Sequence, residues 1–141
     1  MTVTLFAAAK EFARLVEEQA ATLAVPVSVT VVDVHGNVVL KHRMPNAPVI
    51  SIEMSERKAY TAALLGMKTA DLAPLVVPGA RMYAITAAAG GRFVAFGGGA
   101  PLVSDGQLVA GFGVSGGTTE EDVEILEVAL TALGTVDLGG R

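Results

Sequence analysis

Gln107-Leu-Val-Ala-Gly-Phe-Gly-Val-Ser-Gly-Gly117, running into Thr118-Thr-Glu-Glu-Asp122, is the stretch on which the fold turns. Gly111, Gly113 and Gly116 have the G-x-G-x-x-G spacing of a dinucleotide loop. Gly113, Ser115 and Gly117 have the G-x-S-x-G spacing of a nucleophile elbow. Both motifs need a strand before them and a helix after, and the pattern predicts both: strand over Gln107–Val114, helix over Glu120–Leu133. What lies around them excludes each chemistry. A dinucleotide site needs a further parallel strand with an acidic ribose ligand about 20 residues on, and the sequence reaches only Arg141. A serine hydrolase of that order needs a histidine after the serine, whereas His35 and His42 both precede it. The glycines are therefore read as turn formers and as sites of close strand packing.

Working outward, Asp105-Gly106 is a strong hairpin signal, and it pairs Gln107–Val114 with a strand over Ala100–Val103. Phe93–Phe96 reads as one strand more. Upstream, Leu5, Ala9, Phe12, Val16, Ala20 and Leu23 recur at helical spacing, opposite Lys10, Arg14, Glu17 and Glu18, and Pro26 stops that helix. Val27–Asp33 and Val38–Arg43 form a hairpin about His35-Gly36-Asn37. Ser51 is expected to cap a helix from Ile52 to about Gly66, with Glu53 and Arg57 as an i,i+4 pair. Thr69–Leu75 reads as a short helical turn. Thr118 and Thr119 followed by three acidic residues make a capping pattern for the last helix. The order α-β-β-α-(α)-β-β-β-α, with hairpins on either side of a helical insert, predicts an α+β domain over residues 1–141. Its sheet should be antiparallel and five-stranded, with helices to one face or edge. The apolar stripe of the last helix is wide enough to serve a subunit interface or a fully wrapped core position.

Composition narrows the function. The 141 residues are 52% hydrophobic and 17% charged, with a mean hydropathy of +0.55. No apolar run approaches the ~20 residues of a membrane helix, and the charged N-terminal helix is not a secretory segment. A cytoplasmic location is the default expectation. With no cysteine, disulfides and thiolate chemistry are excluded. A net charge of −4 without a basic cluster argues against nucleic acid. The apolar excess points to a homo-oligomer, because exposed apolar patches are a liability on a soluble monomer.

Several separated motifs resemble one known family. They are Val31-Val32-Asp33…Gly36, His42-Arg43-Met44…Ala47, Lys58-Ala59-Tyr60-Thr61-Ala62, Gly97-Gly98-Gly99…Pro101-Leu102…Asp105-Gly106, and Gly111…Gly113-Val114-Ser115-Gly116-Gly117…Glu121-Asp122. In this order they are similar to the GlcG/HbpS-like family, which includes the C-terminal domain of PduO-type corrinoid adenosyltransferases. The resemblance covers nearly the whole chain. It implies a profilin-like fold, oligomeric assembly and binding of haem or another tetrapyrrole. One departure stands out: where an R-M-D-G-A run is common, this chain has Arg43-Met44-Pro45-Asn46-Ala47, and so lacks that carboxylate and glycine.

His42, Arg43, Met44, Lys58, Gly98 and Gly99 are the candidate ligand-binding residues, with His42 as the candidate metal ligand. Histidine and methionine are common axial ligands of haem, and an arginine can pair with a propionate. On a strand His42 and Met44 share a face and Arg43 takes the other, so only one of the two can ligate a given iron from one side. Lys58 could neutralise a ligand carboxylate or pair with a nearby glutamate. Gly97–Gly99 allows close approach of a flat ligand or a neighbouring subunit. Glu53-x-x-Glu56 could recruit a surface cation, and reads first as compensation of its helix dipole. A second reading is an enzyme acting on a small carboxylate, held by Arg43 and Lys58 with Asp33 or His42 as acid/base. A third is an assembly or regulatory module.

Overall fold

The computed structural model describes residues 2–139. The elements are α1 (Leu5–Leu23), β1 (Ser28–Asp33), β2 (Val38–Arg43), α2 (Ile50–Leu65), α3 (Thr69–Leu72), β3 (Gly99–Ser104), β4 (Gln107–Ser115) and α4 (Thr119–Leu133). Three short 3-10 turns, within residues 73–91, link α3 to the later strands. The sheet order is β2-β1-β4-β3 and every pairing is antiparallel.

Two expectations about the sheet need correction. Among the described residues the sheet has four strands, because Phe93–Phe96 forms no strand and pairs with nothing in the sheet. Val94 instead donates its N–H to Thr61 Oγ1 of α2 at 3.0 Å, so this segment lies along a helix and not beside a strand. The helices also cover both faces of the sheet and not one. On one face, α1 and α4 enclose a core of large apolar side chains that includes Phe12, Val16, Val29, Val31, Phe112, Val114 and Ile125. The Phe12 and Phe112 rings stack with centroids 4.1 Å apart. On the other face α2 rests against β4, β1 and β3.

Local chemistry accounts for the boundaries. Thr4 accepts from Ala7 N at 3.0 Å at the start of α1, and Ala24 turns left-handed at its end. Thr118 and Glu121 form the reciprocal capping box of α4, satisfying two otherwise orphaned N–H groups. The expected Ser51 cap does not form. Helix α2 begins earlier, after Val49, and Ser51 Oγ instead bonds Pro48 O at 2.5 Å and the buried Ser28 Oγ at 2.7 Å. At the β3–β4 hairpin both Asp105 (φ 52°) and Gly106 (φ 74°) are left-handed, the conformation a two-residue turn of the right twist requires.

Candidate functional site

The motif glycines of β4 face α2. A methyl group on Gly111 would run into the Ala59 carbonyl, and one on Gly113 into the Ser55 carbonyl. Only a strand without side chains at these positions lets the helix backbone come so close. Gly111 and Gly113 of the two patterns are thus helix–sheet contacts, while Gly116 packs against Pro26 and Val27 ahead of β1. Ser115 is buried in the strand beside Ser28.

The six candidate residues fall into two groups. His42 pairs across the ladder with Val29 and faces α1, where its Nδ1 meets the Glu17 carboxylate. About half of the His42 side chain is exposed (49%), and its Nε2 has no partner among the described residues. Met44 continues the pairing through its N–H to Val27 O at 3.0 Å and packs against the α1/α4 core. Arg43 leaves on the opposite face. Its Nε and Nη2 donate to Ala47 O at 3.1 and 2.8 Å, which closes the loop after β2. In that loop Asn46 is left-handed (φ 71°), a conformation that asparagine tolerates better than most residues. It stands where the resembling family commonly has glycine.

Lys58, Gly98 and Gly99 form the second group, at the other edge of the sheet. His42 and Gly98 lie at the same level of the ladder, since Val29 pairs with both His42 and Val114, and Val114 N donates to Gly98 O. Three interstrand spacings separate them, roughly 14 Å. Lys58 is 2% exposed and Asp122 3%. Lys58 Nζ lies 2.9 Å from Asp122 Oδ2 and donates to Val114 O at 2.9 Å. Asp122 Oδ1 accepts from Gly117 N at 2.9 Å. Burial pushes the Lys58 amine below its ordinary range, against the pull of Asp122. Burial likewise pushes the Asp122 carboxyl up, against Lys58 and the N–H groups of Gly117 and Gly116. At 2.9 Å, with further hydrogen bonds on both partners, the pair holds together. A side chain at Gly98 would meet Val114 O and Lys58 Nζ, and Gly99 N donates to Thr69 Oγ1 at 2.8 Å. The close neighbours of Gly98 are therefore β4, α2 and α4, and those of Gly99 are α2 and α3, all of the same chain.

Sequence reasoning did not single out Glu17 as the partner of His42, or Asp122 as the partner of Lys58. Each lies far along the chain from the residue it meets, and its local pattern read as an exposed helix face or a capping acid. Among the described residues no group of three or more His, Cys, Asp or Glu could hold a metal ion. No helix among them is long and apolar enough to cross a membrane.

Residues 6–131 match the model of the family described as haem degrading protein HbpS-like. The chain is 40% identical over 123 residues to the corrinoid adenosyltransferase PduO of Salmonella typhimurium, covering 87% of this chain and 37% of that protein. It thus spans little more than a third of that relative. It is 44% identical over 129 residues to a 15.0 kDa protein of the dhaT–dhaS intergenic region of Citrobacter freundii, covering 92% of this chain and 90% of that one. Among solved structures, a PduOC complex with haem superposes with a TM-score of 0.89 at 37% identity, over 97% of this chain and 100% of the other.

Proposed function

Since the chain belongs to the HbpS-like family, we propose that it is a haem-binding accessory protein, with His42 of β2 as the residue that meets the iron. The observation that carries this reading is the likeness to a haem-complexed chain along its full length. His42 suits the role chemically. A carboxylate on Nδ1 fixes the ring and its tautomer and directs the lone pair of Nε2 outward, the usual arrangement for a metal-ligating histidine. In Glu17 that carboxylate is supplied by α1. Haem, when bound, would supply an iron that an imidazole nitrogen such as His42 Nε2 can ligate. Met44 lines the same side of β2 and would offer apolar contact to a porphyrin edge.

Arg43, Lys58, Gly98 and Gly99 support this reading less. Arg43 is committed to Ala47 O and Lys58 to Asp122. The same commitments weigh against the alternative in which Arg43 and Lys58 together hold a small carboxylate substrate. Self-association belongs to the proposal as well: Val49 (73% exposed), Ile50 (67%) and Phe96 (54%) offer apolar surface that sister copies can cover, and the helix–sheet–helix layering supports the profilin-like reading of the family.

Titration of the purified protein with haemin tests the proposal. We expect a shifted Soret band that His42→Ala abolishes and that Glu17→Gln weakens by roughly 10- to 100-fold. An unchanged free-haem spectrum removes the reading, and a His42→Ala variant that binds equally well moves the site off β2.

A further inference from the structure

Beside α2 and β2, on the sheet face opposite His42, lies an open pocket of about 410 Å³ lined by Lys41, Ile52, Glu53, Glu56, Arg57 and Arg92. Its cations come from β2, from α2 and from the turn before Phe93. Two of them are largely satisfied. Lys41 Nζ lies 2.6 Å from Glu56. Arg57 Nε lies 3.1 Å from Glu53, and its Nη1 donates to Gly91 O at 2.5 Å.

Arg92 differs from both. Its Nε donates to Ala89 O at 2.9 Å, and its guanidinium lies over the Tyr60 ring, 4.3 Å from the centroid. The side chain is thus fixed at its base and on one face, while neither terminal nitrogen has a hydrogen-bond partner among the described residues. Two coplanar free donors on a held guanidinium match the two oxygens of an oxyanion, and prior ordering lowers the entropic cost of binding. Charge selects the kind of anion. Three cations against two carboxylates leave a surplus of one positive charge, which balances a monoanion, whereas a dianion would sit unbalanced beside Glu53 and Glu56. Ile52 adds an apolar wall for a short carbon chain.

We propose that this pocket binds the carboxylate of a small organic acid, anchored by the Arg92 fork, at a site separate from that of haem. Lys41 and His42 leave β2 on opposite faces, so the two sites lie on opposite sides of the strand.

The test follows the arginine Nε–Hε signals by NMR at constant ionic strength while acetate, lactate, inorganic phosphate or chloride is added. The expected result is a saturable shift of the Arg92 signal with acetate and lactate, weaker with phosphate and absent with chloride. Arg92→Lys, which keeps the charge and loses the fork, should weaken lactate binding by about tenfold or more, followed through the Arg57 signal. Tyr60→Leu should weaken it with no change of charge, and Lys10→Gln on distant α1 should leave it unchanged. No saturable shift, an equal response to chloride, or an Arg92→Lys variant of wild-type melting temperature and unchanged affinity would overturn the proposal. Loss of the haem Soret shift in that variant would also overturn it, by making the pocket part of the haem site.

Discussion

Towards α1 and α4, strand β4 presents Ala110, Phe112 and Val114; towards α2 it presents Gly111, Gly113 and Ser115. The first face is packed by volume, with stacked rings and branched side chains filling the space between sheet and helices. The second is packed by proximity. The α2 backbone lies almost on the strands, Ala59 and Ala63 meet Val32, and two buried hydroxyl pairs, Ser28–Ser51 and Thr30–Ser55 at 2.7 and 2.8 Å, bridge helix to strand. One sheet therefore obeys two sets of tolerances. The apolar face loses stability in proportion to the volume removed, and the bare face cannot accept volume at all.

The largest effect should come from adding one carbon to the bare face. Gly113→Ala forces its methyl into the Ser55 carbonyl, and backbone cannot rotate aside as a side chain can. We expect failure to fold or a loss of more than about 4 kcal/mol, read from the urea midpoint. Gly106→Ala, where nothing surrounds the new methyl and only the left-handed backbone (φ 74°) is strained, should cost about 1–2 kcal/mol. If the two losses were equal, steric proximity would not be what defines the α2 face.

Removing volume from the other face comes next. Phe112→Ala empties the stack with Phe12 and should cost about 3–5 kcal/mol, with the midpoint shifted and the slope retained. A comparable loss, about 3–5 kcal/mol, is expected for Lys58→Met, which strands the buried Asp122 carboxylate. Lys58→Met combined with Asp122→Leu should recover most of that loss, and a double-mutant cycle reads the coupling directly.

Smaller effects sharpen the contrast. Thr30→Val keeps the shape of the helix–strand bridge and removes its hydroxyl, and it should cost about 1 kcal/mol; adding Ser55→Ala should cost little more. A hydroxyl pair that behaved like the Phe12–Phe112 stack would cost more with each deletion. Asp33, in the β1–β2 turn outside both faces, supplies the pH-dependent case. Partial burial raises its carboxyl, but N–H groups of Asn37 and His35 outweigh that and hold it below the ordinary value. The folded state therefore favours the ionised form. Its contribution is present above the unfolded carboxyl range and is lost as pH falls through the folded value. Asp33→Ala should cost about 1 kcal/mol at pH 7, and the gap from wild type should close on acidification, as chemical denaturation at several pH values will show.

Elements with a strong local period are legible in the sequence alone. The Leu5-to-Leu23 stripe, the Val38–Arg43 strand and the Asp105-Gly106 turn all declare themselves within a few residues. Phe93–Phe96 misled because a short β-branched and aromatic run between glycines looks the same whether a strand or a helix lies beside it. Helices on both faces were hidden for a related reason. The small side of α2, with Ala59, Ala62 and Ala63, suits close packing on a sheet, but its spacing does not say on which face of the sheet the helix lies. At the candidate site, the alternation along β2 is enough to place His42 and Arg43 on opposite faces. Glu17, Asp122 and Arg92 depended on contacts between elements distant in the chain, and no local spacing encodes those.

The Lys58–Asp122 contact joins a helix of one layer to a helix of the other around the end of the sheet. Neither layer can lift away without stranding a charge in the interior. Deep amide protons of Phe112 and Ala59 should therefore exchange with solvent through a single opening event, with one common free energy and one common dependence on denaturant. The domain would melt as a block and not leaf by leaf.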